Sequence, residues 1–106
     1  MKMKIYINDP DITVAELLGW ILVRSGHVIT TEISTADLVI TEWKMNGIPA
    51  IAILSKLRQY DYKSKWIIFT SRDGDMSLHE HVCTRQNAQL IHKIDILDNL
   101  KGQGII

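Results

Sequence analysis

Leu38-Val39-Ile40-Thr41-Glu42 is the stretch that decides the fold. A short apolar run without polar alternation reads as a strand buried on both faces, as in a parallel sheet. Three other runs have the same character: Ile5-Tyr6-Ile7, Trp66-Ile67-Ile68-Phe69 and Leu90-Ile91-His92. Each is followed by a polar residue. Asp9 follows the first, Glu42 the second, Thr70 the third and Lys93 the last. In an open α/β sheet, ligands and chemistry gather outside the carboxyl ends of the strands. These four residues are therefore the candidate site.

The segments between the strands complete the pattern. After a turn at Asp9-Pro10-Asp11, Thr13-Val14-Ala15-Glu16 has the spacing of a capping box. Val14, Leu17, Leu18, Ile21 and Leu22 then recur at helical spacing, and Ser25-Gly26 supplies a stop. His27 to Ile33 reads as a second strand and Asp37 to Thr41 as the third. Only Ser34-Thr35-Ala36 separates them, too little for the helical crossover that parallel neighbours need. Either the second strand is short and the crossover is a bare loop, or the sheet departs from the simple pattern.

Met45-Asn46-Gly47 reads as a turn, and Pro49 suits the first turn of a helix whose apolar face is Ala50, Ile51, Ile53, Leu54 and Leu57. Residues 59–65 and 71–75 read as loops. Ser77-Leu78-His79-Glu80 is a second capping box, opening a helix to about Gln86. Ala88 to His92 is the fifth strand, and Asp95 can cap a last helix through Leu97 and Leu100. The expected architecture is α/β: a flavodoxin-like, five-stranded, mostly parallel sheet in one domain over residues 1–106, lacking the helix between the second and third strands.

Composition excludes several functions. Twelve basic residues balance twelve acidic ones, so the chain lacks the positive excess of a nucleic-acid binder or an electrostatic membrane anchor. No apolar run is long enough to span a bilayer, and Met1-Lys2-Met3-Lys4 leads into a strand rather than a signal peptide. Cys83 is the single cysteine, so no internal disulfide can form. A cytoplasmic location is expected.

Asp37-Leu38-Val39-Ile40-Thr41-Glu42, followed by Lys44-Met45-Asn46-Gly47, resembles the phosphoacceptor strand and loop of receiver domains in response regulators and hybrid histidine kinases. The resemblance covers nearly the whole chain. It places Glu42 where the family has its phosphorylated Asp, Thr70 at the switch hydroxyl and Lys93 at the conserved lysine. Asp9 resembles one of the two adjacent acids that hold magnesium; the other falls at Pro10, with Asp11 one residue away. Ile94 stands where a proline usually follows the lysine, and Leu90 stands at the aromatic switch position.

These departures imply a degenerate receiver, a pseudo-receiver. Phosphoryl transfer needs an in-line nucleophile and a metal on the phosphate oxygens. Glu42 is one methylene longer than Asp and reaches into the phosphate's space. Pro10 removes a ligand that magnesium's strict octahedral geometry needs. Lys93 beside Glu42 would form a plain ion pair. The resemblance then implies a non-catalytic module without cofactor or metal. Its partner would be a histidine kinase, a histidine phosphotransfer domain or a response regulator. The alternatives are a receiver that still takes phosphate or metal, and a stand-alone regulator binding a transcription factor.

Blander readings accompany these. Thr70 can simply bond backbone at a strand end, and Asp9 can cap the first helix. His79 and Cys83 are four apart on a helix, but one pair is not a zinc site. Solvated histidines and a core Cys83 are expected instead. Trp43 and Met45 together suggest a small apolar docking patch on the loop after Glu42. Trp20 falls between the apolar stripe and the polar side of its helix.

Overall fold

The computed structural model describes residues 1–71 and 76–106. The loop expected at 71–75 therefore lies, beyond Ser71, outside the described residues. The elements run β1 (Lys4–Asn8), α1 (Ile12–Arg24), β2 (Val28–Ile29), β3 (Leu38–Glu42), β4 (Lys44–Met45), β5 (Ile48–Pro49), α2 (Ala50–Arg58), β6 (Lys65–Thr70), α3 (Ser77–Arg85), β7 (Ala88–His92) and α4 (Ile96–Gly102).

Five strands form one sheet in the order β2-β1-β3-β6-β7, and every pairing in it is parallel. Strand alternation sends side chains to two cores. Leu38, Ile40, Ile67 and Phe69 meet Leu18, Leu22 and Leu100 from α1 and α4. Val39, Trp66 and Ile68 meet Ala50, Leu54 and Cys83 from α2 and α3 on the other face. Burial on both faces is why these strands read as unbroken apolar runs.

No helix separates β2 from β3. Between them lies one 3-10 turn, Ile33–Thr35. The second strand is two residues long, not the seven of 27–33, and the crossover is a loop. Two side chains from the stretch after α2 hold it. The Tyr62 hydroxyl donates to the Ile33 carbonyl (3.0 Å), and Ser64 Oγ donates to the Ala36 carbonyl (2.5 Å). Trp66 Nε1 donates in turn to the Tyr62 oxygen (3.0 Å). The crossover spans because β2 stops at Ile29, which leaves residues 30–37 to pass from one side of β1 to the other.

His27 is buried outside the strand, where it joins two distant segments. Its Nδ1 accepts from the Met3 amide at 3.1 Å, so Nε2 carries the proton and donates to the Ile105 carbonyl at 2.7 Å. Asp37 also lies outside its strand: its carboxylate accepts the Lys4 amide at 2.8 Å, setting the start of β3 beside β1.

Helix starts differ from expectation. Asp11, not Thr13, caps α1, its Oδ1 accepting from the amides of Thr13 (3.1 Å) and Val14 (3.3 Å). Asp11 sits one residue before the helix, where its short carboxylate reaches the exposed N–H groups; Thr13 is already inside. Ser77 is likewise the first helical residue of α3, behind Met76 at the cap. Asp95 does precede α4 but makes no side-chain cap bond. The turn at 45–47 is the tip of a small antiparallel hairpin, β4 against β5. Asn46 (φ 51°) and Gly47 (φ 81°) give it the two left-handed residues of a tight hairpin turn.

Candidate functional site

Asp9, Glu42, Thr70 and Lys93 all lie at the carboxyl edge of the sheet, at or just after the ends of β1, β3, β6 and β7. Parallel pairing brings them there together. The register aligns Asn8 with Thr41, Glu42 with Phe69, and Thr70 with His92.

The ion pair expected between Glu42 and Lys93 is not the one formed. Lys93 Nζ lies 3.2 Å from both carboxylate oxygens of Asp9. The Asp9 side chain is only 2 % exposed, and that of Lys93 is 32 % exposed. Asp9 Oδ1 also accepts the Asp11 amide at 2.9 Å, so this carboxylate pins the turn after β1. The Lys93 ammonium stands 5.5 Å from the centre of the Phe69 ring, a cation–π contact. Chain geometry explains the choice of partner. Asp9 is on the α1 side of the sheet edge with Phe69 and Lys93, where the three line one cleft of about 100 Å³ with Leu17, Ile21 and Leu97.

Glu42 is half-buried. Among the described residues, nothing donates to its carboxylate. Its backbone carbonyl accepts from the Thr41 hydroxyl (3.1 Å), and that oxygen accepts from the Asn8 amide group (3.0 Å). Asn8 thus joins β1 to β3 beside the site. Sequence reasoning passed over it as a strand residue in favour of Asp9, although Asn8 is the polar residue that directly follows Ile5-Tyr6-Ile7.

Asp11 does not enter the pocket, because its carboxylate is spent on the start of α1. Met45 is a core residue, 7 % exposed and packed in the α2–α3 cluster. The expected Trp43–Met45 docking patch is therefore not presented: the hairpin turns Met45 inward and leaves Ile48 outside. Trp43 is half-buried against the same core and meets the His79 ring edge-on, centroids 4.3 Å apart. His79 is thus packed rather than solvated, while His81 is exposed. Trp43 and His79 join Thr70, Met76 and Leu90 around a small cleft of about 30 Å³. Cys83 lies in the core, where burial, aided by the charge of Glu80, pushes its thiol up to about 11.

The parallel five-stranded sheet with helices on both faces has the receiver-type fold. The chain aligns with a LuxR-family two-component response regulator from an Aurantimonas species at a TM-score of 0.75 and 18 % identity, covering 96 % of this chain and 84 % of that one. It also aligns with the signal receiver domain of the response regulator NarL from Mycobacterium tuberculosis at a TM-score of 0.67 and 15 % identity, covering 95 % and 98 % of the two chains. No family model and no curated protein sequence matches it. The fold is that of a response-regulator receiver domain.

Proposed function

We propose that this chain is a two-component signalling domain that has lost phosphoacceptor chemistry and acts by binding a partner protein. The observation that carries this is the Asp9–Lys93 pair. In a working receiver site the first acid would be needed for magnesium and the lysine for the phosphate. Here the two neutralise each other in a nearly closed contact. The other acids do not fill the gap. Pro10 has no side-chain ligand atom, Asp11 caps α1, and with Asp9 held by Lys93 only Glu42 is left as an uncommitted carboxylate for a magnesium ion. The residues present do not fit the metal.

A domain without the chemistry keeps its surfaces, and in this reading its partner is a histidine kinase, a phosphotransfer domain or a response regulator. The domain acts in the cytoplasm in this reading. No helix among the described residues is long and apolar enough to cross a membrane.

Amide NMR during addition of magnesium and then beryllofluoride tests this. The expected spectra do not change near Asp9, Glu42, Thr70 or Lys93. Glu42→Asp alone does not restore binding, because Pro10 is still in place. Saturable shifts of the native chain at those four residues would overturn the proposal.

A further inference from the structure

The cleft between α1 and α4 has the make-up of a small-molecule site. Its walls include Leu17 and Ile21 from α1 and Leu97 from α4, with the buried Phe69 at its base. Among the described residues, the polar side chains that border it are those of Asp9 and Lys93. A mostly apolar concavity with a few polar groups is the usual form of a ligand pocket. Leu17 and Leu97 stand 58 % and 42 % exposed, apolar surface that an occupant would cover. The cleft holds about 100 Å³. An engineered apolar cavity of about 150 Å³ takes benzene. This cleft is open at its leucine rim, so a single ring seated in it keeps one edge in solvent.

The ion pair at the border selects the polar group of the occupant. A lysine ammonium has three N–H donors and no acceptor. Both 3.2 Å contacts of Lys93 Nζ go to the one carboxylate of Asp9, which leaves at least one donor for another acceptor. Asp9 itself is 2 % exposed and gives a ligand almost nothing to reach. The pair is neutral as a whole. An anionic ligand would bring a second carboxylate up to Asp9, and a cationic one would meet the ammonium. An uncharged acceptor meets neither cost. We infer that the cleft binds a small uncharged amphiphile, a compact apolar body with one hydroxyl or carbonyl oxygen that accepts from Lys93 Nζ. This inference needs the Asp9–Lys93 pair and the leucine-lined cleft, and it does not rest on the loss of phosphoacceptor chemistry or on a partner protein.

Benzyl alcohol, toluene, benzoate and benzylamine share one ring and separate the parts of the inference. Methyl-resolved NMR of the full chain during addition of benzyl alcohol gives saturable shifts at Leu17, Ile21 and Leu97, with a Kd of about 1 mM for a ligand this small. Toluene lacks the acceptor and binds about three- to tenfold more weakly, the worth of one net hydrogen bond. Benzoate and benzylamine also bind more weakly than the alcohol. Leu17→Trp and Leu97→Trp each fill the cleft from its exposed rim and weaken benzyl alcohol by about fivefold or more. Both positions face solvent, so circular dichroism of the two variants remains native. Shifts that do not saturate by about 10 mM overturn the inference, including the case in which the cleft serves a protein instead. So do shifts that both tryptophan variants leave in place, toluene binding as tightly as the alcohol, or either charged probe binding tightest.

Discussion

Asp9 is nearly enclosed, and a lysine 84 positions later comes to meet it. A buried carboxylate is costly unless it is paired and hydrogen-bonded, and Asp9 is both. Cys83 solves the same problem by staying neutral. Its thiol ionises only near pH 11 because burial disfavours the thiolate, and Glu80 adds to the effect. The unfolded chain gives up this proton near the ordinary value of 9.0. Between those limits the unfolded state binds fewer protons than the folded one, so stability falls as pH rises through that window. Urea midpoints measured from pH 7 to pH 11 should therefore decline more steeply for the native chain than for Cys83→Ala, with the two slopes equal below about pH 8. The position of the site residues was legible in the sequence, because each follows an apolar run. Their pairing was not. Lys93 stands between two carboxylates at one sheet edge, and only the side of the sheet on which Phe69 lies decides which of them it reaches.

At the scale of elements, α1 starts one cap earlier than its capping-box spacing suggested. Both Asp11 and Thr13 are good cap residues, and sequence spacing cannot say which has the extended backbone that a cap requires; Asp11 has it, at φ −82° and ψ 101°. Asp11→Ala should cost about 1 kcal/mol in chemical denaturation, and Thr13→Ala only a few tenths. The reverse order would restore the capping box. The missing helix was legible, since three residues cannot cross over a sheet. What replaces it was not: the bonds from Tyr62 and Ser64 come from nearly thirty residues further on. The hairpin of β4 and β5 was read only as a turn, because two-residue strands carry too few side chains to show alternation. That hairpin is also what turns Met45 inward.

At the scale of the molecule, a single imidazole joins Met3 to Ile105. His27→Ala would leave a buried N–H and a buried C=O without partners, at a cost of about 2–4 kcal/mol for the two together. Thermal unfolding should show this loss, and hydrogen exchange should show it as early opening of β1's first amides and of the segment after α4. A loss well under 1 kcal/mol would mean that water replaces the ring without penalty.

An open parallel sheet has two free margins, and here they differ. At one, β2 presents only Val28 and Ile29, too short a template for another chain to extend. At the other, β7 runs for five residues, Ala88 to His92, with pairing on one side only. Truncating a strand at one margin is a known way to keep sheets from adding to each other. The loop between β2 and β3, by leaving β2 so short, gives another chain little backbone to pair with at that margin. The corresponding hazard is concentrated on β7, where the side-chain amide of Gln103 reaches Gln89 (3.0 Å) and sets a polar group beside the open strand.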